Sequence, residues 1–578
     1  MGLGILEDRV MEHVPGTTQY YDDPSRPQYA ADGVTGLKMD TSGPVPIILV
    51  PQPSDDPNDP LNWPLWRRDL ITFILSLTAI FGTSLGPILA ANTITISLWM
   101  SVKFTKVALL TGYFLLGVGV GGFLFIPSSR IWGKRHAFLI GTVILIATSA
   151  WGGAASHSYK SLLWARIIQG VGAAPFEALV NATVGDLYFV HQRGKRMAFT
   201  NLAVFGGAFF TPILVGKITH TLMWWWTFYL VAIFCGACLP LIYFFCPETA
   251  YRRDASLNTD MIATGTSHTA LNEIKDNSNN NNNNNNQRAT TSESAEHDRG
   301  TSSDNKAVNT TTADETTTTP KKASFRQSLA IFTGRKSDEA FWKLLFRPFP
   351  LFLQPAFLWA MLIQGTMIGW TVFIGVIMAQ FFLGYPLWWD EVRTGYAYVG
   401  AFVGAIIGFV VAGGLADWSA KKLTQWNKGV YEPEFRIVLV IPQMILGVMG
   451  LYGFGITADG LLENKYHYAV PLTFFAFEVA GMVIGAVASS LYIVDAYRDL
   501  AVEGFTCLII FKNMFSFGLT FKAYDWLVAN QTNAEPVFNP IASVQLVICL
   551  SSIPLYIYGK RLRSYFYRHD LLAICGLR

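Results

Sequence analysis

The stretch SLLWARIIQGVGAAPFEALVNATVGDLY, residues Ser161 to Tyr188, is long enough to cross a bilayer and yet carries an arginine and a glutamate. A charge near the centre of a span costs on the order of 3 kcal/mol even on lenient insertion scales, so such a residue faces a bundle interior or a wet cavity. Glu177 lies nine residues before Asp186, which is about 14 Å at the helical rise and near half of the roughly 30 Å hydrocarbon core. It is therefore expected near the midplane. Arg166 and Glu177 are eleven residues apart, and at about 100° per residue that returns them to nearly one face, with Gly170 and Ala173 between them. A polar stripe of this kind needs a bundle to shelter it.

The rest of the chain can supply that bundle. Of 578 residues, 51% are hydrophobic and only 14% charged, a composition that excludes an ordinary soluble domain and places the chain among multi-span membrane proteins. The net charge of +3 implies no strongly basic or acidic partner surface, and no nucleic-acid partner. Five of the six cysteines, Cys235, Cys238, Cys246, Cys507 and Cys549, fall in apolar runs, so no disulfide framework is expected. Cys235 and Cys238 form a CxxC without a second pair, and no metal site is expected from it. No GxxxxGK[ST] string is present, so ATP-driven pumping is not expected, and neither is any cofactor.

Twelve spans follow from the apolar runs: about 70–91, 107–126, a third ending near Ala155, 161–188, 197–218, 226–245, 349–382, 395–415, 435–456, 469–492, 504–529 and 541–558. Basic clusters mark the cytoplasmic loops by the positive-inside rule: Arg130, Lys134, Arg135 and His136; Arg193, Lys195 and Arg196; Lys421, Lys422 and Lys428; Arg498; and Lys560, Arg561 and Arg563. The resulting division is a polar cytoplasmic tail over 1–66, a six-helix bundle over 67–249, a linker over 250–340, a second six-helix bundle over 341–560 and a cytoplasmic tail over 561–578. The linker contains an unbroken asparagine run from Asn279 to Asn286 and is too polar to build a core, so disorder is expected there. The same count puts Asn530 of the NQT sequon outside, as a glycosylation candidate, whereas the Asn181 sequon lies within a helix.

The two bundles look alike where charge is concentrated: GDLYFVHQRGKR after the fourth span has a counterpart in VDAYRDLAVEGF after the tenth, so Asp186 corresponds to Asp495. A weak repeat between six-span halves points to a transporter with its site between them at midplane depth. GGLADWSAKK fits the loop signature GxxxDRxGR/KR through Gly413, Asp417 and Lys422. PSSRIWGKRH keeps Gly133, Lys134 and Arg135 but has Arg130 at the acidic position. WARIIQGVGAA carries the arginine followed by QGxGA of a fourth-span signature, and GGAFFTPILVG keeps only a remnant of the antiporter pattern GxxxGPxxGG. On these strings the chain resembles the major facilitator superfamily over nearly its whole length. A closer resemblance, through VPQPSDDPNDPLNW, CPET, EPEFR and VDAYRDLAVEG, is to the fungal drug:proton antiporter group and its histidinol and polyamine permease branch. The resemblance implies an all-α fold of twelve membrane helices and alternating access. It also implies a proton-coupled carrier of organic solutes, and charge contacts in the signature loops that govern closing.

A proton-coupled carrier needs a buried protonatable group, and Glu177 fits best, with Glu478 second. Phe81, Trp370 and Phe373 are candidates to surround an organic cation, and Arg166 and Asn181 to line the same cavity. Lys512 lies about 13 Å into its span. It meets Glu177, Glu478, or an anionic or zwitterionic solute. Asp186, Arg196, Asp495 and Arg498 are read as contacts of the cytoplasmic gate. The expectation is a monomeric carrier of the plasma membrane, both termini cytoplasmic, whose partners are a small solute, protons and the bilayer. Import of polyamines or other organic cations leads, drug or toxin efflux is the alternative, and a nutrient-sensing transceptor is a rival from another class. No nucleophile, base and orienting group are grouped as an enzyme would require.

Overall fold

The computed structural model describes residues 3–11, 14–19, 38–40, 47–49, 51–252, 322–384 and 387–577. Twelve long helices carry the fold: α1 Leu65–Ser84, α2 Phe104–Trp132, α3 Arg135–Ala154, α4 Tyr159–Leu187, α5 Val190–Leu222 and α6 Trp226–Phe245, then α7 Pro355–Leu383, α8 Glu391–Trp426, α9 Pro433–Leu462, α10 Ala469–Ala496, α11 Ala501–Ala529, and α12, which begins as Glu535–Leu550 and resumes over Ser552–Arg568. Eleven of these, α2 to α12, are long and apolar enough to cross a membrane. α1 occupies the remaining position and opens on Arg67, Arg68 and Asp69, which lowers its apolar character at one end.

The helices outrun the apolar stretches at their charged ends. α8 continues past Leu415 to Trp426, α5 begins at Val190 rather than Met197, and α12 runs on to Arg568. α1, in contrast, stops at Ser84, and Pro87–Leu89 forms a separate turn where the apolar run alone suggested a helix to Ala91. The seventh run divides into a short Pro348–Leu351 turn and α7, broken before Pro355 because the residue ahead of a proline disfavours helical backbone. Residues 253–321, including the asparagine run expected to be disordered, lie outside the described residues.

Each half is built on one tightly packed pair, α2 with α4 and α8 with α10. Gly117 of α2 faces the Ile167 carbonyl of α4, and Gly404 of α8 faces the Ala476 carbonyl of α10, each so closely that a Cβ would collide. Small residues are what let membrane helices approach in this way. The shared device, at matching helices, is the internal repeat in physical form. The halves meet along two seams, α2 against α11 and α5 against α8.

On the face bearing the basic loops, the N-terminal segment crosses to the second half. Thr18–Gln19 pairs antiparallel with Val430–Tyr431, the Leu6 amide donates to the Ile557 carbonyl at 3.0 Å, and Lys560 donates to Glu7 at 2.6 Å. Ile5 and Val14 are buried there. Residues 51–64 meanwhile hold to the first half, where Asp56 accepts from Tyr251 at 2.8 Å.

Candidate functional site

Between the halves lies a cavity of about 140 Å³. Its wall is mostly apolar, with Phe114, Phe205 and Phe209 from the first half and Ile368 and Val372 from the second, while Thr371, Tyr398 and Asn513 add polar edges. Glu177 of α4 reaches it. Lys512 of α11 donates to Glu177 Oε1 at 2.7 Å, and Asn513 Nδ2 donates to Oε2 at 3.2 Å. The Glu177 and Lys512 side chains are 14% and 5% exposed, respectively, and the ammonium also faces the Phe205 ring at 5.9 Å. Two charges that would each be costly alone are thus matched across the boundary between the halves.

The other acid is set differently. Glu478 of α10 is fully buried behind the cavity wall. Its Oε1 lies 2.6 Å from the Thr371 hydroxyl, and its Oε2 has no hydrogen-bond partner among the described residues. Lys512, read from sequence as meeting either acid, is on Glu177.

None of the six cavity candidates from the sequence lines this space, Lys512 meeting it only through Glu177. Arg166 is fully buried, but it hydrogen-bonds Gln169 and the carbonyls of Leu110 and Gly86 and stacks on Phe114 at 4.8 Å. It ties α4 to α2 and to the turn after α1 and does not pair with Glu177. Asn181 accepts from Thr200 at 2.7 Å, joining α4 to α5. Phe81 stacks on Phe234 of α6, Trp370 donates to Gln545 of α12, and Phe373 packs between Trp526 and Phe538. Each was placed by depth, and its rotation about the helix axis turns it away. The lining residues Asn513, Thr371, Tyr398 and Phe205 were missed. Asn513 alone left a signal, a polar side chain adjoining Lys512 within an apolar span.

The basic-loop face is closed by a network at the ends of α2, α5, α8, α9, α10 and α11. Asp495, fully buried, accepts from Arg193 of the first half at 3.3 Å, from Arg436 at 3.0 Å and from the Tyr431 hydroxyl at 2.6 Å. Burial pushes the Tyr431 phenol well above its ordinary value, so it stays a donor. Arg436 also lies 3.9 Å from Asp417, whose carboxylate abuts Gly194 of α5 so closely that a side chain there would collide. Gly413, one turn earlier, touches Ala198 of the same helix and so belongs to this seam. Arg130, the residue standing where the loop signature has an acid, reaches Glu503 of the second half at 3.8 Å. Its reversed charge serves a contact between the halves.

The remaining motif residues brace single halves. Lys134 pairs with Asp186, Arg196 with Asp69 at 3.0 Å, and Lys422 covers the Trp426 ring at 5.4 Å. Gly133 ends α2 with φ +89°, and the following Lys134 and Arg135 amides donate to Glu248 of the CPET string at 2.9 and 3.0 Å. Arg498 lines the crevice beside Arg130 and Asp186. Asn530 sits at the end of α11 remote from this face, its amide donating to the Trp526 carbonyl at 2.9 Å. On that far side Thr95 hydrogen-bonds Glu391 and Phe104 meets Tyr524 edge-on at 5.2 Å, again across the halves. The cavity is therefore bounded by contacts between the halves at both ends.

Known proteins share this architecture. Protein HOL1 of Saccharomyces cerevisiae is 24% identical over 97% of this chain and 97% of its own length. An MFS-type transporter of Schizosaccharomyces pombe is 24% identical over 96% and 94%. The MFS antiporter QDR3 of Candida albicans is 29% identical over 39% of this chain and 32% of its own. Among solved structures, the proton:xylose symporter XylE superposes with a TM-score of 0.53 at 14% identity, over 85% of this chain and 96% of that one, which is a likeness of fold. The last three of these are named as a transporter, an antiporter and a symporter. The family model of the Major Facilitator Superfamily matches residues 71–503, and the chain, a multi-pass membrane protein, belongs to that family of secondary transporters.

Proposed function

We propose that this chain is a proton-coupled carrier of the plasma membrane that moves small organic cations, polyamine-like amines foremost, by alternating access. The observation that carries this reading is the Glu177–Lys512 pair, which joins the two halves at the cavity. An ammonium group arriving in the cavity can replace that of Lys512 on Glu177, and the faces of Phe114, Phe205 and Phe209 suit its alkyl chain and its charge. Exchange of partners at Glu177 then loosens one of the contacts that hold the halves together, so that solute binding and movement are linked. Protons enter at the same point, because a proton on Glu177 is the third way to match its charge.

The test is uptake of radiolabelled spermidine into cells lacking their own polyamine carriers, comparing wild type with Glu177→Gln at two external pH values and equal surface expression. Saturable, pH-dependent uptake that the variant loses is the expected result. Wild-type uptake no higher than vector overturns the polyamine reading. A second reading, efflux of lipophilic drugs by proton antiport, draws on the apolar wall of the cavity and on the similarity to an antiporter. It calls for lower steady-state dye accumulation in expressing cells.

A further inference from the structure

Glu478 has a different chemistry from Glu177, and we infer that it is a second proton-binding group of this carrier, holding a proton in the conformation seen here and communicating with the cavity through Thr371. The inference rests on the carrier reading above. Hydrogen counting at Thr371 admits it. The Thr371 hydroxyl lies 2.9 Å from the Met367 carbonyl, 2.6 Å from Glu478 Oε1 and 3.3 Å from the Met482 sulfur. A hydroxyl has one hydrogen to give and two lone pairs to accept with. When that hydrogen goes to the Met367 carbonyl one turn back, the short contact to Glu478 is a hydrogen bond only if the acid is the donor.

The surroundings require the same protonation state. Facing Glu478 from α7 is Thr371, and from α9 the main chain of Gly450, which packs directly on Glu478's own backbone. Gln545 of α12 is neutral and accepts from Thr366 and Trp370. Among titratable groups at the cavity, Lys512 is committed to Glu177 and the Tyr398 hydroxyl donates to the Gly375 carbonyl at 2.9 Å. Arg166 is held by Gln169 and main-chain carbonyls behind Phe114. Among the described residues no cation pairs with Glu478. An ionised carboxylate buried without a partner is neutralised rather than tolerated.

Thr371 makes the site reversible. It lines the cavity while Glu478 does not, so the acid stands one hydrogen bond behind the wall. When the cavity opens and admits water, Glu478 passes its proton to that water and becomes a carboxylate. The Thr371 hydrogen then turns from the Met367 carbonyl to the new carboxylate. No other atom need move, and reloading runs the same steps backwards. The division of labour is a Glu177 paired with Lys512, where the solute cation binds, and a proton-loaded Glu478 beside it.

Infrared difference spectroscopy on purified wild type, Glu177→Gln and Glu478→Gln tests protonation without any solute. The expected result is a protonated-carboxyl stretch at neutral pH that survives Glu177→Gln and disappears in Glu478→Gln. A band that Glu478→Gln leaves unchanged overturns the inference. Coupling is tested in proteoliposomes with spermidine as the probe, the membrane potential clamped to zero and a pH difference of about one unit, which can support about tenfold accumulation per proton exchanged. Glu478→Gln is expected to keep spermidine exchange while accumulation falls by about tenfold, the share of one coupled proton, and Thr371→Ser to keep what Thr371→Val loses. Full gradient-driven accumulation in Glu478→Gln overturns the inference. Absence of spermidine transport by wild type counts against the proposed substrate instead, and the infrared result still decides the protonation of Glu478.

Discussion

The pairing of Glu177 with Lys512 makes a quantitative prediction about single and double substitutions. At an effective dielectric near 20, unit charges about 4 Å apart attract by about 4 kcal/mol, and at 14% and 5% exposure both groups have given up most of their water. Removing one partner therefore strands the other, at about 3–5 kcal/mol. Glu177→Gln and Lys512→Met should each cost that much, measured by thermal melting of the purified carrier in detergent without solute. The double variant leaves no stranded charge and puts groups of similar volume in the gap, and such replacements are often neutral. It should recover more than half of either loss, a coupling of about 4.5 kcal/mol or more in a double-mutant cycle. Single melting shifts of several degrees should therefore collapse towards zero in the double. Additive losses would refute the reasoning, because they would mean that the two charges stand independently in the folded protein.

Two further predictions concern the closed face. Asp495→Asn leaves Arg193 and Arg436 without their shared carboxylate and should weaken the closure by about 3 kcal/mol, about a hundredfold in the open-to-closed ratio. Thiol labelling of a cysteine introduced at Ala182, which lines the adjoining crevice, should accelerate, and an unchanged rate would show that the network does not hold the halves. Burial raises the Glu339 carboxyl, but hydrogen bonding and charge from Arg347 outweigh it and hold the group below the ordinary glutamate range. The stability this adds is present above the unfolded value of about pH 4.3 and is lost as pH falls through the lower folded value. Limited proteolysis of the 322–340 segment should therefore rise only below about pH 4, and a transition near neutrality would exclude Glu339 as its anchor.

Hydropathy and loop charge were enough to place every long helix, and α6 lies at the expected residues, Trp226–Phe245. Errors gather where a helix leaves the bilayer core, because Lys421 and Lys422 end an apolar run without ending α8. At the site, depth was legible and partnership was not. Glu177 and Lys512 could each be placed along a span, yet they lie 335 residues apart, and nothing local selects one lysine for one acid. Rotation about the helix axis was equally hidden in spans apolar on all sides, so Phe81 and Phe373 were indistinguishable by pattern from Phe205, which does line the cavity.

The docked N-terminal segment has a consequence for biosynthesis. Glu7 and Lys560 are 553 positions apart, so Glu7 is translated long before the helix that partners it. Glu7 cannot bond to α12 until that helix has been inserted, and contacts of such sequence separation form late in folding. The segment therefore seats only on a completed second half, and a ribosome that stops short of α12 leaves its docking surface unmade. Protection of residues 3–11 and 14–17 from protease would thus report that α12 has been built.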